Sequence, residues 1–97
     1  METGFYLVER YLAGATSDDV ASAAERVQTA TDQMTAEGIA VQYLGGTFIP
    51  ADETCFCEFA APSRDAVEWA NERANVPFAR ILPAVRLSAR QQGRSAR

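Results

Sequence analysis

A chain of 97 residues holds one hydrophobic core and one domain, and its 47% hydrophobic and 23% charged content is that of an ordinary globular protein. All nine basic residues are arginines; with neither lysine nor histidine present, a lysine Schiff base, a Walker-type phosphate lysine, a Ser-His or Cys-His nucleophile pair and any histidine metal ligand are excluded. The net charge is -4, but Arg90, Arg94 and Arg97 place +3 in the last ten residues and leave -7 on residues 1–87, a body that repels phosphate backbones and argues against nucleic-acid binding. Residues 1–87 therefore read as the folded domain and 88–97 as a basic, flexible tail. No apolar run approaches the ~20 residues of a membrane helix. Met-Glu-Thr-Gly-Phe-Tyr lacks the basic and apolar blocks of a signal peptide, so the expected compartment is the cytoplasm, with Cys55 and Cys57 reduced.

Phe5 to Leu12 is rich in aromatic and branched residues and predicts a first strand, broken by Gly14. Thr16 or Ser17 offers an N-cap oxygen, and Asp18 and Asp19 place negative charge in the first helical turn. Val20, Ala24, Val27, Thr31 and Met34 then form one helical face, closed by Gly38; its mostly small residues suit close packing on a sheet. Ile39 to Ile49 predicts a second strand, bulged at Gly45-Gly46 or cleared there for a neighbour. Pro50 to Glu53 is a turn, and Thr54 to Phe59 the third strand, joined to the second as a hairpin. Ser63 caps a second helix running to Ala74, with Val67, Ala70 and Ala74 inward and Trp69 beside them. Arg80 to Leu87 is the last strand, placed at an edge because Pro83 has no N–H for a ladder.

The order β-α-β-β-α-β with two right-handed crossovers predicts an α+β, ferredoxin-like fold: a four-stranded antiparallel sheet, first and third strands central, both helices on one face. Alternation along the strands then assigns the faces. An unpaired carboxylate is too costly under a helix, so Glu58 marks the open face, with Phe56 and Ala60. Phe5, Leu7, Glu9 and Tyr11 share it from the first strand, Arg80, Leu82, Ala84 and Arg86 from the fourth, and Tyr43 is expected there too. Arg10 falls on the helix side and is expected to reach out past an edge, while Ile81, Val85 and Leu87 are expected buried. So much exposed apolar surface predicts a homodimer with sheets face to face, enclosing a half-polar cavity.

Glu9 and Glu58 stand on adjacent central strands. In matching register they would couple, as a general acid/base or a hard-cation site requires; otherwise they pair with Arg80 or Arg86. Cys55-Phe56-Cys57 is too few thiols for zinc and too widely spaced along an extended strand for an unstrained disulfide, and reads as two small buried residues. Trp69 reads as packing over the sheet or as the rim of a cavity.

Leu7-Val-Glu-Arg10, Thr54-Cys-Phe-Cys57 with Ala61-Pro62, and Ala74-Asn-Val-Pro-Phe-Ala-Arg-Ile81 resemble segments of a group of small actinobacterial proteins related to the nickel-binding, nickel-responsive ferredoxin-like proteins. The resemblance spans about residues 5–87. It implies a dimeric α/β barrel and, for some members, bound nickel. Glu9 matches the family's first-strand glutamate, and Glu58 lies two residues from its third-strand glutamate, on the same face. Histidine often stands in the family where Trp69 stands here, and glutamate where Ala60 does. Nickel prefers nitrogen and sulfur donors to carboxylates alone. The expected function is binding of a small ligand or a metal ion, with Glu9, Glu58, Tyr11, Arg86 and Trp69 as candidate ligand-binding residues and Glu9 and Glu58 as candidate metal ligands. The alternatives are a cofactor-free enzyme of monooxygenase or isomerase type, with a glutamate as base and Arg86 holding the anion, and a protein-interaction module.

Overall fold

Each boundary in the computed structural model, which describes residues 3–90, has a local cause. The first strand, β1, spans Gly4–Tyr11. The first helix, α1, spans Ser17–Ala36 and opens on a capping box: the Thr16 hydroxyl accepts from the Asp19 backbone N–H, and the Asp19 carboxylate accepts from the Thr16 N–H. It closes with Gly38 at φ +96°, whose N–H reaches the Thr35 carbonyl while that of Ile39 reaches Met34, the paired bonds of a Schellman motif. The second strand, β2, spans Gln42–Ile49, and a short 3-10 turn at Pro50–Asp52 leads to β3, Thr54–Ala61. The second helix, α2, spans Arg64–Arg73, is capped by the Ser63 hydroxyl, and closes with the same motif, Asn75 standing at φ +56° in the glycine position. The last strand, β4, spans Arg80–Ala84.

The four strands form one open antiparallel sheet in the order β2-β3-β1-β4, the α+β, ferredoxin-like arrangement with β1 and β3 central. Both helices pack on the face that carries Val8, Phe59 and Ile81, against Val27 and Met34 of α1 and Val67 and Ala70 of α2. Val8, Met34, Phe59 and Val67 are fully shielded, and burial of each such side chain contributes ~1.5–3 kcal/mol. Arg26, midway along α1, ties the helices by donating to the Ala74 carbonyl at the end of α2, and Arg73 ties the end of α2 to the end of α1 by a two-pronged ion pair with Glu37.

Three expectations are corrected. Arg10 does not reach past an edge into solvent: its guanidinium is held by Asn71 of α2 and the Pro77 carbonyl, and the residue is 2% exposed. Val85 and Leu87 are not buried but 84% and 90% exposed, because β4 ends at Ala84, where its partner β1 begins. Tyr43 belongs to the helix side, not the open face. Leu44 is an extra residue between the pairs Tyr43↔Phe59 and Gly45↔Glu58, and this bulge sets Tyr43 across from Phe59, ring centroids 5.5 Å apart. The expected basic tail lies, from residue 91 onward, outside the described residues.

Candidate functional site

On the open face the register answers the question left by the two glutamates. Glu9 stands opposite Phe56 on β3 and Arg80 on β4, whereas Glu58 stands opposite Leu7. The two glutamates are thus diagonal neighbours, their backbones ~7–8 Å apart, rather than a directly facing pair. Each has an arginine: Arg80 donates to Glu9, and Arg86 lies 3.8 Å from Glu58. The Arg86 guanidinium also covers the Phe5 ring at 5.5 Å. The open face is therefore an alternating lattice of apolar and ion-paired residues, with Leu7 and Leu82 between the charges.

Tyr11 and Trp69, the other candidates, are held elsewhere. The Tyr11 hydroxyl donates to one carboxylate oxygen of Glu53, the Gly14 N–H donates to the other, and the Leu12 N–H donates to the Glu53 carbonyl, so Glu53 pins the β1–α1 loop. The bond to Glu53 and its charge push the exposed Tyr11 hydroxyl above its ordinary pKa. Trp69 lies under the Arg73 guanidinium, 5.0 Å from the ring centroid, and that guanidinium is the one paired with Glu37. Trp69 thus belongs to a clamp between the ends of α1 and α2.

The feature that sequence reasoning missed lies on the other side of the sheet. Between α1 and the strands is a half-enclosed cavity of about 360 Å³. One wall is the N-terminal half of α1, with Val20, Ala24 and Val27; the floor is Arg10, Tyr43, Cys55 and Cys57. Gly46 keeps the floor open: a Cβ there would stand 3.2 Å from the Cys57 Sγ, 3.4 Å from the Tyr43 hydroxyl and 3.0 Å from the Phe56 carbonyl oxygen. The small residues of α1 therefore leave room rather than merely permitting close approach.

Arg10 is the polar centre of this region. Its guanidinium donates to the side-chain oxygen of Asn71 and, at 3.2 Å, to the Pro77 carbonyl. Both acceptors are neutral. Among the described residues the ion pairs join Arg64, Arg73, Arg80 and Arg86 to glutamates, and no carboxylate lies within 4 Å of Arg10. Cys55 and Tyr43, beside it, do not supply the missing charge. Burial, then the neighbouring thiol Cys57, push Cys55 up to about 11. Burial, then the two thiols, push Tyr43 up to about 12. Arg10 draws both downward, but both stay uncharged at neutral pH. The Cys55 and Cys57 sulfurs lie 3.7 Å apart as free thiols.

As a nickel site this donor set fails. Among the described residues no three His, Cys, Asp or Glu side chains converge, the glutamates of the open face are engaged by arginines, and the Cys55 thiol holds its proton. No described helix is long and apolar enough to cross a membrane.

A family profile described as "Nickel responsive protein SCO4226-like" matches residues 6–83 of the chain. The fold is similar to the crystal structure of SCO4226 from Streptomyces coelicolor A3(2), with a TM-score of 0.72 and 26% identity over 88% of this chain and 99% of that one. Comparison with curated proteins gives no match.

Proposed function

Because the chain belongs to the SCO4226-like family of nickel responsive proteins, yet brings no nickel donor set together, we propose that it is a small-ligand-binding protein whose ligand lies between α1 and the sheet. The observation that carries this reading is the 360 Å³ cavity floored by a buried arginine that, among the described residues, has no carboxylate within 4 Å. Its volume falls in the ~300–1,000 Å³ range of small-molecule sites, and its pattern of apolar walls around a few polar groups is that of such sites. Glu9, Glu58 and Arg86 serve in this reading as the charged lattice of an assembly surface, not as ligands of a metal. Phe5, Leu7, Phe56 and Leu82 would be covered by a second copy, whose own Glu9–Arg80 and Glu58–Arg86 pairs offer both signs of charge across a twofold axis, completing the barrel that one open sheet does not close.

The cavity is tested with 1-anilinonaphthalene-8-sulfonate and the variant Ala24→Leu, which fills the wall without touching the open face. The expected result is a fluorescence rise that saturates at about one dye per chain and is lost in the variant. Undiminished dye binding in Ala24→Leu, or none in the parent, would overturn the reading. Calorimetric titration with Ni²⁺ should give no stoichiometric heat, and saturable binding abolished by Glu9→Gln would restore the metal. A monomer in sedimentation equilibrium at micromolar concentration would remove the paired assembly.

A further inference from the structure

From the charge balance of the cavity we infer that its ligand is a small amphiphilic monoanion, a carboxylate or its equivalent on an apolar body, with the anionic group drawn to Arg10. This rests on the ligand-binding reading above and adds the chemical class.

A guanidinium that is 2% exposed has lost nearly all of its hydration, and that loss must be offset locally. Buried arginines are normally offset by carboxylates; here the fold supplies one amide oxygen and one backbone carbonyl. Two acceptors engage two of the five guanidinium N–H donors and leave the positive charge uncancelled. On the cavity floor Tyr43 and Cys55 add no negative charge, since both stay protonated. The cavity also opens beside Ser17, the first residue of α1, where the helix dipole contributes partial positive charge. Asp18 and Asp19 lie in the same turn, but both face solvent and Asp19 is spent on the Thr16 cap, so neither enters the lining.

The rest of the lining sets the body of the ligand. Leu12, Val20, Val27 and Phe48 present hydrocarbon, and Ala21 and Ala24 line the wall with nothing larger than a methyl group. An inorganic anion would leave these walls wet, and a neutral hydrocarbon would leave Arg10 as it is. An amphiphilic monoanion satisfies both halves.

The experiment compares octanoate with 1-octanol, equal in chain length and different in charge, by calorimetry and by amide chemical shifts of the full-length protein. Octanoate should bind at one site per chain, at least tenfold tighter than the alcohol, with the largest shifts at Val20, Ala24 and Phe48. Ala24→Leu should abolish that binding while leaving the signals of the open face unmoved. Arg10→Met should reduce the tenfold preference to less than twofold; should that variant not fold, Ala24→Leu and the parent's preference decide the matter. Equal affinity for the two ligands with shifts in the cavity would overturn the inference and leave the ligand-binding reading standing. No binding of either at millimolar concentration would overturn both, and shifts confined to Leu7, Phe56 and Arg86 would move the site to the opposite face and overturn the inference.

Discussion

Replacing Asn71 by alanine isolates what holds a bare guanidinium inside this protein. The Asn71 side chain accepts from Arg10 and donates, at 2.7 Å, to the Val67 carbonyl one turn back. A hydrogen bond to a charged group is worth ~1.5–3 kcal/mol, and the second, within the helix, ~1 kcal/mol. Alanine's better helix propensity returns ~0.5 kcal/mol. The net expectation is a loss of ~2–3.5 kcal/mol, which for a domain of this size lowers Tm by ~8–28 °C. Urea unfolding followed by the fluorescence of Trp69, the single tryptophan, measures it. The informative comparison is the double variant Arg10→Met/Asn71→Leu. It removes the charge and its acceptor together, and should lie within ~1 kcal/mol of the parent or above it, because a matched apolar pair has no desolvation to offset. With the single variants Arg10→Met and Asn71→Leu completing the cycle, a coupling energy of at least ~1.5 kcal/mol is therefore expected. An Asn71→Ala cost below ~0.5 kcal/mol, or simple additivity, would refute the claim that Arg10 is held by this acceptor. A double variant as stable as the parent shows, in turn, that Arg10 is not kept for stability.

Other expectations follow from the caps and the titrating groups. Gly38→Ala places a Cβ at φ +96° and should cost ~1–2 kcal/mol, whereas Asn75→Gly at φ +56° should be neutral or stabilising; a thermal melt separates them. Hydrogen bonds hold Asp19, capped on Thr16, below its ordinary 3.8, and Glu37, bonded to Arg73, below its ordinary 4.5. A depressed folded pKa adds stability above the unfolded value and loses it as pH falls through the folded one. Both groups are exposed, so the effect is small, but stability should decline from about pH 4.5 downward, and Asp19→Asn with Glu37→Gln should flatten that decline in pH-dependent urea midpoints. Cys55, pushed up to about 11 by burial, should react slowly with Ellman's reagent at pH 8 in the native protein and rapidly in urea; fast native reaction would contradict its burial.

The topology was legible because its signals are local: a cap at Thr16, a stop at Gly38, a proline at position 83 that only an edge strand tolerates. The assignment of Glu9, Glu58 and Arg80 to one face followed from alternation and from the cost of burying an unpaired carboxylate. What escaped was set at a distance. The pairing of Glu9 with Phe56 instead of Glu58 depends on how β1 meets β3, strands separated by a helix and a hairpin. Tyr43 changed sides because one inserted residue, Leu44, inverts the alternation that reading by twos assumes. Arg10 could be placed on the helix side but not inside the core, since its acceptors come from α2 and the following loop, more than sixty residues away. The cavity has no sequence pattern at all: alanines that could equally have closed the gap leave it open, and only the positions of Gly46, Tyr43 and Cys57 together show it. An arginine inside an otherwise apolar alternation, with no acidic residue at the neighbouring inward positions, is the one signal that could have pointed there.

The two outermost strands decide how copies of this chain can meet. A pleated layer with free rims invites its like to add on strand by strand, the route to fibres. Here β2 is kinked at Leu44-Gly45 and β4 is only five residues long and interrupted by Pro83, so neither rim presents a continuous row of hydrogen-bonding groups to a newcomer. Growth in the plane is thereby discouraged, and contact through the flat side is left as the association that stops at a finite number of chains.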